Sequence, residues 1–528
     1  MKQNESDIKS LYQAILSCLS YDLILLGIII MVPVGLLPFY PEERSCAHSF
    51  ILPGVLSILF GYLFMILTKG STSRTLKRNE GSLIVLMIWV VSILVGSTPF
   101  LLTGGYTFSQ AVFETTSGFA TIGLTMTDVT QASHLLLFYR SILHLFGGIG
   151  LILILSTALS EVYGMQLFTA AGHKDVVAPN LLHSARTILA LYMSMILAGT
   201  ILYILFGMSP FDAINHSISA VATGGFSTQV DSIGHYNSVP IDIITMILMI
   251  MGATNFMSSL MLIRGKFKEF FCHAETLVMT CLIVFFTPIL TVIFMVSNIS
   301  EDTLHAIDDA AFQVIACVTT TGFTTVDSSW LTVGASMVPA LVLMLVGGNT
   351  GSTAGGAKSY RFAMAIKEVF WTFRDQVDTS HLHRQREILR YGNRVTVSQK
   401  ELQETNSFFF LSFNIALLGT FGLSLCGYTV RDAFYESIAV LSTTGISLGM
   451  ISRDMPVPAM WIIIVGMLIG RLEVYIIPLG MYRFRKDMTE LARLGKDKIK
   501  ETSTRKEKIR QRREKLRKLK EAKTDAGQ

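Results

Sequence analysis

The chain is 528 residues long, 51% hydrophobic and 15% charged, with a net charge of +5. Soluble domains carry about a quarter charged residues, so this balance excludes an ordinary water-soluble protein and requires much of the surface to face something other than water. The positive charge is local: the last 48 residues hold 18 Lys and Arg against 8 Asp and Glu, leaving the rest of the chain net acidic.

In chain order, the first ten residues are polar and mixed in charge, and no small-residue cleavage site follows the apolar stretch that begins near Ala14. Residues 14–40 therefore read as a retained first helix and not as a signal peptide. A second span is expected at 49–69. The apolar runs 85–102, 188–206, 241–262, 277–296 and 461–479 are each close to the ~20 residues that cross a bilayer as a helix. The six cysteines (Cys18, Cys46, Cys272, Cys281, Cys317 and Cys426) form no CxxC pair, and most lie in or beside apolar runs, so they read as small buried hydrophobes. His381 and His383 share a charged loop with no matching ligand set, which argues against a metal site there.

Four short loops repeat one pattern, Thr-x-Gly-x-Thr/Ser: ATIGLT at 120–125, ATGGFS at 222–227, TTTGFT at 319–324 and STTGIS at 442–447. The shared glycines are Gly123, Gly225, Gly322 and Gly445. Twelve residues before each stands an alanine (Ala111, Ala213, Ala310, Ala433), preceded by Asp212, Asp309 and Asp432 in the last three copies and by Gln110 in the first. One Thr-Gly loop is an ordinary turn. Four with a fixed offset, each between two long apolar runs and led by an amphipathic stretch of about ten residues, are an internal repeat. The predicted fold class is an all-α polytopic membrane protein: four fused helix–pore-loop–helix repeats around a central pore, preceded by two extra transmembrane helices. The expected divisions are 1–80 for the N-terminal pair, 81–160, 161–265, 266–372 and 373–482 for the repeats, and 483–528 for a basic cytoplasmic tail. That makes ten spanning helices and four re-entrant ones. The positive-inside rule puts both termini in the cytoplasm, with Arg44, Arg140, Arg431 and Arg453 as the outer-loop cations, so all four Thr-Gly loops dip in from the outer face.

Non-helical backbone survives at membrane depth only when buried in protein or lining a watery cavity, so four such loops in one chain imply one shared cavity. Glycine permits torsions that turn carbonyl oxygens toward an axis, and Thr121, Thr223, Thr320 and Thr443 can add hydroxyl oxygens. Rings of neutral oxygens replace the hydration shell of a bare potassium ion. The loops contain no carboxylate, whereas divalent sites favour Asp or Glu. The predicted ion-binding residues are Thr121, Ile122, Gly123, Thr223, Gly224, Gly225, Thr320, Thr321, Gly322, Thr443, Thr444 and Gly445. Potassium is the expected transported ion, and no cofactor is expected.

FETTSGFATIGLT (113–125), DAINHSISAVATGGFS (212–227), VTTTGFTT (318–325) and DAFYESIAVLSTTGIS (432–447) resemble the four pore loops of the Trk/Ktr/HKT superfamily of potassium transporters, with the bacterial TrkH type the closest. LFGGIG (145–150), YGMQLF (163–168), GGNTGSTAGGAKSYR (347–361) and LIGRLEVY (468–475) extend the likeness from about the first span to about Arg485. The resemblance implies potassium preference, because glycine stands at all four filter positions. It also implies a homodimer in the bacterial inner membrane, paired with a cytosolic ring of nucleotide-binding regulatory subunits of the TrkA or KtrA kind. A sodium-permeable or sodium-coupled relative is the alternative. The chain departs from the family at TIGLT, where TrkH-type loops usually read TTGAT, and in its longer basic tail.

Gly347, Gly348, Gly351, Gly355 and Gly356, with Asn349 and Thr350, interrupt what should be the second spanning helix of the third repeat. The segment reads as a flexible gate below the filter, with a plain helix kink as the other reading. It nearly spells a phosphate loop, but an inserted alanine and the lack of a preceding strand rule against ATP. Arg471 lies between apolar stretches, which makes it a functional residue by default. The resemblance makes it an electrostatic barrier below the filter; a structural ion pair is the alternative. The tail reads as a solvated helix near anionic lipid or as a docking segment, and without aromatics after Phe484 it is not a nucleic-acid binder. No nucleophile–base or metal constellation marks an enzyme.

Overall fold

The computed structural model describes residues 2–68, 77–150, 181–300, 302–333, 335–377 and 385–525. The YGMQLF run and the pair His381 and His383 lie outside these. The chain opens with Lys2–Met31 and His48–Thr68, which pack closely. Gly54 and Gly61 leave no room for a Cβ against the first helix, and the Ser57 hydroxyl donates to the Leu23 carbonyl at 2.7 Å. Small residues and a shared polar bond are how helices associate where apolar burial alone gives no driving force. Asp22 accepts from Ser92 at 3.1 Å and ties the pair to the first repeat.

Each repeat has a leading helix, a short pore helix and a closing helix. The leading helices are Arg78–Gly96 (continued by Thr98–Thr103), Leu181–Leu205, Ala274–Val296 and Gln399–Leu425. The pore helices are Phe108–Phe119, Pro210–Val221, Thr303–Val318 and Val430–Leu441. Among the described residues, six helices are long and apolar enough to span a membrane. The closing helices are two shorter apolar helices, His134–Ile149 and Met337–Val346, in repeats one and three, and two bent pairs in repeats two and four, which stand at the other expected spans.

Two expected continuous spans are in fact broken. The run 241–262 is Val239–Ala253 followed by Phe256–Ile263 at 118°, and the run 461–479 is Val457–Arg471 followed by a helix from Glu473 at 106°. The first break holds because Asn255 caps the second piece, accepting from Met257 N–H at 2.8 Å, while the freed carbonyls of Gly252 and Ala253 accept from the 347–356 segment. Apolar composition cannot reveal such a break, since both halves stay apolar and the compensating donors lie about a hundred residues away.

A two-stranded antiparallel hairpin, Glu387–Arg390 with Asn393–Thr396, stands between repeats three and four where no strand was expected. Ile388 buries against Tyr360, Met364 and Leu402, and the Gly392 N–H donates to the Cys272 carbonyl at 2.9 Å. The tail is one helix, Glu473–Asp525. Its Arg483 pairs with Glu80 at 3.3 Å and with Asp487 at 3.0 Å, whereas residues 506–514 are exposed. Arg140, counted among outer-loop cations, is instead buried within the helix His134–Ile149.

All four pore helices have a side-chain N-cap, which stands three residues before the repeat's Gln or Asp in copies one, two and four and seven before it in the longer third helix. Thr107, Ser209 and Thr429 hydroxyls accept from the N–H of Gln110, Asp212 and Asp432, and the Asp302 carboxylate accepts from His305 N–H. Gln110 closes a capping box back onto Thr107 N–H at 2.8 Å, which accounts for glutamine in the first copy. The His305 bonds hold the Asp302 carboxyl below its ordinary pKa. A lowered pKa means that its contribution is complete at neutral pH and lost as pH falls through the folded value. Thr429→Ala should cost about 1 kcal/mol, read as a lower midpoint of thermal unfolding in detergent; an unchanged midpoint would show that this cap is redundant.

Candidate functional site

The four Thr-Gly loops share one backbone form. Each pore helix ends on a threonine in the left-handed region: Thr121 at φ 51°, Thr223 at 51°, Thr320 at 54° and Thr443 at 56°. The next residue's N–H reaches back into the helix (Ile122 to Ser117, Gly224 to Ser219, Thr321 to Ala316, Thr444 to Ala439) at 2.8–3.0 Å. The threonine's own N–H bonds three residues back, completing a Schellman cap with threonine where glycine is usual. Left-handed threonine is strained, and four at matched positions mark a shared demand on the backbone. The shared glycines follow at φ 89°, 77°, 85° and 73°.

These glycines close a ring. A Cβ on Gly123 would overlap the Gly224 carbonyl, one on Gly225 the Thr321 carbonyl, one on Gly322 the Thr444 carbonyl, and one on Gly445 the Ile122 carbonyl. Each loop thus abuts the next in chain order and the fourth returns to the first. The twelve residues predicted for ion binding are brought together. Ile122 and Leu124 bury their side chains in the core behind the first loop, so the bulkier first copy still presents its backbone to the ring. The Oγ1 atoms of Thr121 and Thr443 are buried without a partner among the described residues. No group of three or more His, Cys, Asp or Glu that could hold a metal occurs among the described residues; the oxygens available to a cation here are carbonyls and hydroxyls.

Behind the ring, the pore-helix position nine residues before the glycine holds the loop exit in three of the four copies. Glu114 accepts from the Thr125 hydroxyl at 2.9 Å, and Glu436 accepts from the Ser447 hydroxyl and from Leu448 N–H at 2.9 Å. His216 bonds the Ser227 hydroxyl at 2.8 Å. In the third copy, Gln313 is buried and finds no partner among the described residues; Thr324 instead accepts from Gly234 N–H at 3.1 Å. Sequence reasoning missed these residues. The signal was present as a polar residue at a fixed offset, but its type changes from copy to copy.

The segment 347–356 lies directly against the ring. Gly355 N–H donates to Thr320 Oγ1 at 2.7 Å, and a Cβ on Gly355 would overlap Thr443. Thr353 accepts from the Thr223 hydroxyl at 3.1 Å. The segment is fastened rather than loose: Asn349 N–H donates to Ala253 O at 3.0 Å, Asn255 Nδ2 donates to Thr350 O at 2.6 Å, the Thr350 hydroxyl bonds Glu275, and Lys358 bonds Ala354 O. Its ends are pinched by Ser359 N–H to Gly348 O at 2.9 Å, with Gly347 and Gly356 backbone to backbone. Its glycines therefore serve close approach as well as conformational freedom.

Arg471 donates to Thr353 O at 2.9 Å and to Gly147 O. Both partners are backbone carbonyls, and among the described residues Arg471 forms no ion pair. Glu473, which follows the bend at φ 57°, pairs instead with Arg361 at 2.9 Å. One arginine from the fourth repeat thus joins the first repeat's closing helix to the segment beneath the ring.

Residues 47–484 match the family TrkH, described as cation transport protein. The chain is 30% identical over 471 residues to the Trk system potassium uptake protein TrkH of Salmonella typhimurium, covering 81% of this chain and 93% of that protein. It is 31% identical over 427 residues to the Escherichia coli K12 protein of the same name, covering 76% and 84%. The crystal structure of the potassium transporter TrkH from Vibrio parahaemolyticus superposes with a TM-score of 0.78 at 25% identity, over 89% of this chain and 98% of that one.

Proposed function

Because the chain belongs to the TrkH family of cation transport proteins, we propose that it takes up potassium through the ring of four Thr-Gly loops, acting as a selectivity filter. The observation that carries this reading is ring closure. Four loops meet glycine to carbonyl in chain order, with the Thr121 and Thr443 hydroxyls beside them unpartnered among the described residues. Such a ring supplies neutral oxygens in place of an ion's hydration shell. The pore helices turn their C-terminal, negative dipole ends toward the loops, which favours a cation. The family is one of transporters, not enzymes.

In this reading the segment 347–356 is the gate and Arg471 its fastener and barrier. The expected partners are a second copy of the chain and a cytosolic nucleotide-binding ring. The hairpin at 387–396, packed on Tyr360 and Met364 of the helix that leaves the gate, offers a route by which a partner could pull on it. The location is a plasma membrane, with both termini cytoplasmic.

The test is cation flux into liposomes holding the purified protein, with potassium, rubidium, sodium and lithium compared. Potassium and rubidium well above sodium is the expected result. Equal sodium flux would retain the pore and assign a sodium-permeable transporter.

A further inference from the structure

Behind the first two loops sits a charged and aromatic cluster. Arg140, on the helix His134–Ile149, is 1% exposed. Its Nε lies 3.6 Å from the fully buried Glu114 carboxylate. Glu114 in turn accepts from the Thr125 hydroxyl and from the N–H of Met126 and Thr127 at 2.9, 2.5 and 3.0 Å, and so holds the exit of loop one. The Arg140 guanidinium carbon also lies 4.0 Å from the ring centroid of Phe226, the residue after the shared glycine of loop two. One turn further along, His144 stacks on the same ring at 4.2 Å and 9°, and fills the space that a side chain on Gly224 would need. Seventeen residues after the loop glycine, where the first copy has Arg140, the other copies have Asp242, Pro339 and Ile462. The cation is peculiar to the junction of loops one and two.

We infer that Arg140 is a positioning residue for ion selectivity, bracing the exits of loops one and two against a single helix. This rests on the filter reading. Burying a guanidinium for one ion pair is poor value in stability alone, because the desolvation penalty cancels most of the attraction. The position between two loops gives it a geometric role. Non-helical loops have no ladder of their own to fix carbonyl spacing, and a pair of loops free to contract would accept sodium as readily as potassium. A planar guanidinium can pair with a carboxylate and stack on a ring at once, which an ammonium cannot do.

The test is the potassium-to-sodium flux ratio in liposomes for Arg140→Lys, Phe226→Leu and the double variant Arg140→Gln with Glu114→Gln, which leaves neither charge unpaired. Loss of folded protein scales both fluxes alike and does not move the ratio. Each variant should lower the ratio about fivefold, whereas Phe226→Tyr, which keeps the ring, should retain it. A wild-type ratio in both Arg140→Lys and Phe226→Leu would overturn the inference, whatever the double variant does. If the parent protein itself shows no preference for potassium, the filter reading falls first and the brace with it.

Discussion

Gly445→Ala is expected to abolish rubidium flux in a protein that still inserts and folds. Gly445 holds a positive φ of 73°, and a Cβ there would run into the Ile122 carbonyl of the neighbouring loop. The overlap is deepest at Gly445 and shallowest at Gly123. Alanine therefore adds left-handed strain and pushes an oxygen of the ring out of place. Displacing one carbonyl that bonds a charged species costs on the order of 3 kcal/mol, which corresponds to roughly a hundredfold loss of flux. Gly123→Ser should impair flux less, yet not as a clean selectivity probe, because its Cβ must displace the Gly224 carbonyl. The measurement is rubidium uptake per folded protein, with folding followed by elution in detergent. Parental flux in Gly445→Ala would mean that the ring does not line the ion path.

Deleting part of 347–356, or cutting its tie with Arg471→Gln, should have the opposite effect and raise flux without any partner. The segment touches the first threonine of three of the four loops, through Thr320, Thr223 and Thr443. It therefore lies against three of the four loops, where the proposed gate would act. Arg471 holds it through Thr353 and anchors it to Gly147. A charge-assisted hydrogen bond is worth about 1.5 kcal/mol or more, so its loss should shift the balance toward the open arrangement about tenfold. The potassium preference should survive, because the ring's own contacts are untouched. Flux unchanged in both variants would remove the gate assignment and leave Arg471 as a structural tie.

The repeat was legible because its chemistry is local. A threonine, a glycine two residues on and an alanine twelve residues before can be read along the chain, and they recur four times. The glycines were expected for their torsions, and their φ values agree. The left-handed threonines were not foreseen, because threonine ordinarily avoids that region and only the Schellman caps hold it there. Position Glu114, His216, Gln313, Glu436 escaped notice because three residue types occupy it in the four copies, and it holds the loop exit in three of them.

The hairpin was missed for a related reason. Its strands are four residues each and the second is wholly exposed, so the segment carries no alternation strong enough to stand out from a charged loop. Its stability comes from Ile388 buried on helices that lie far away in sequence.

By itself the sequence determined the membrane class, the four-part repeat, the loop residues and the interruption at 347–356, since each follows from composition or spacing along one stretch of chain. Only the tertiary structure decided that the loops close in chain order, that two apolar runs bend sharply beneath them and that Arg140 sits between two loops. It alone showed Arg471 bonded to the carbonyls of Thr353 and Gly147. These depend on backbone donors and acceptors finding partners about a hundred residues or more apart, and a buried polar group's choice of partner is set by packing, not by its neighbours in sequence.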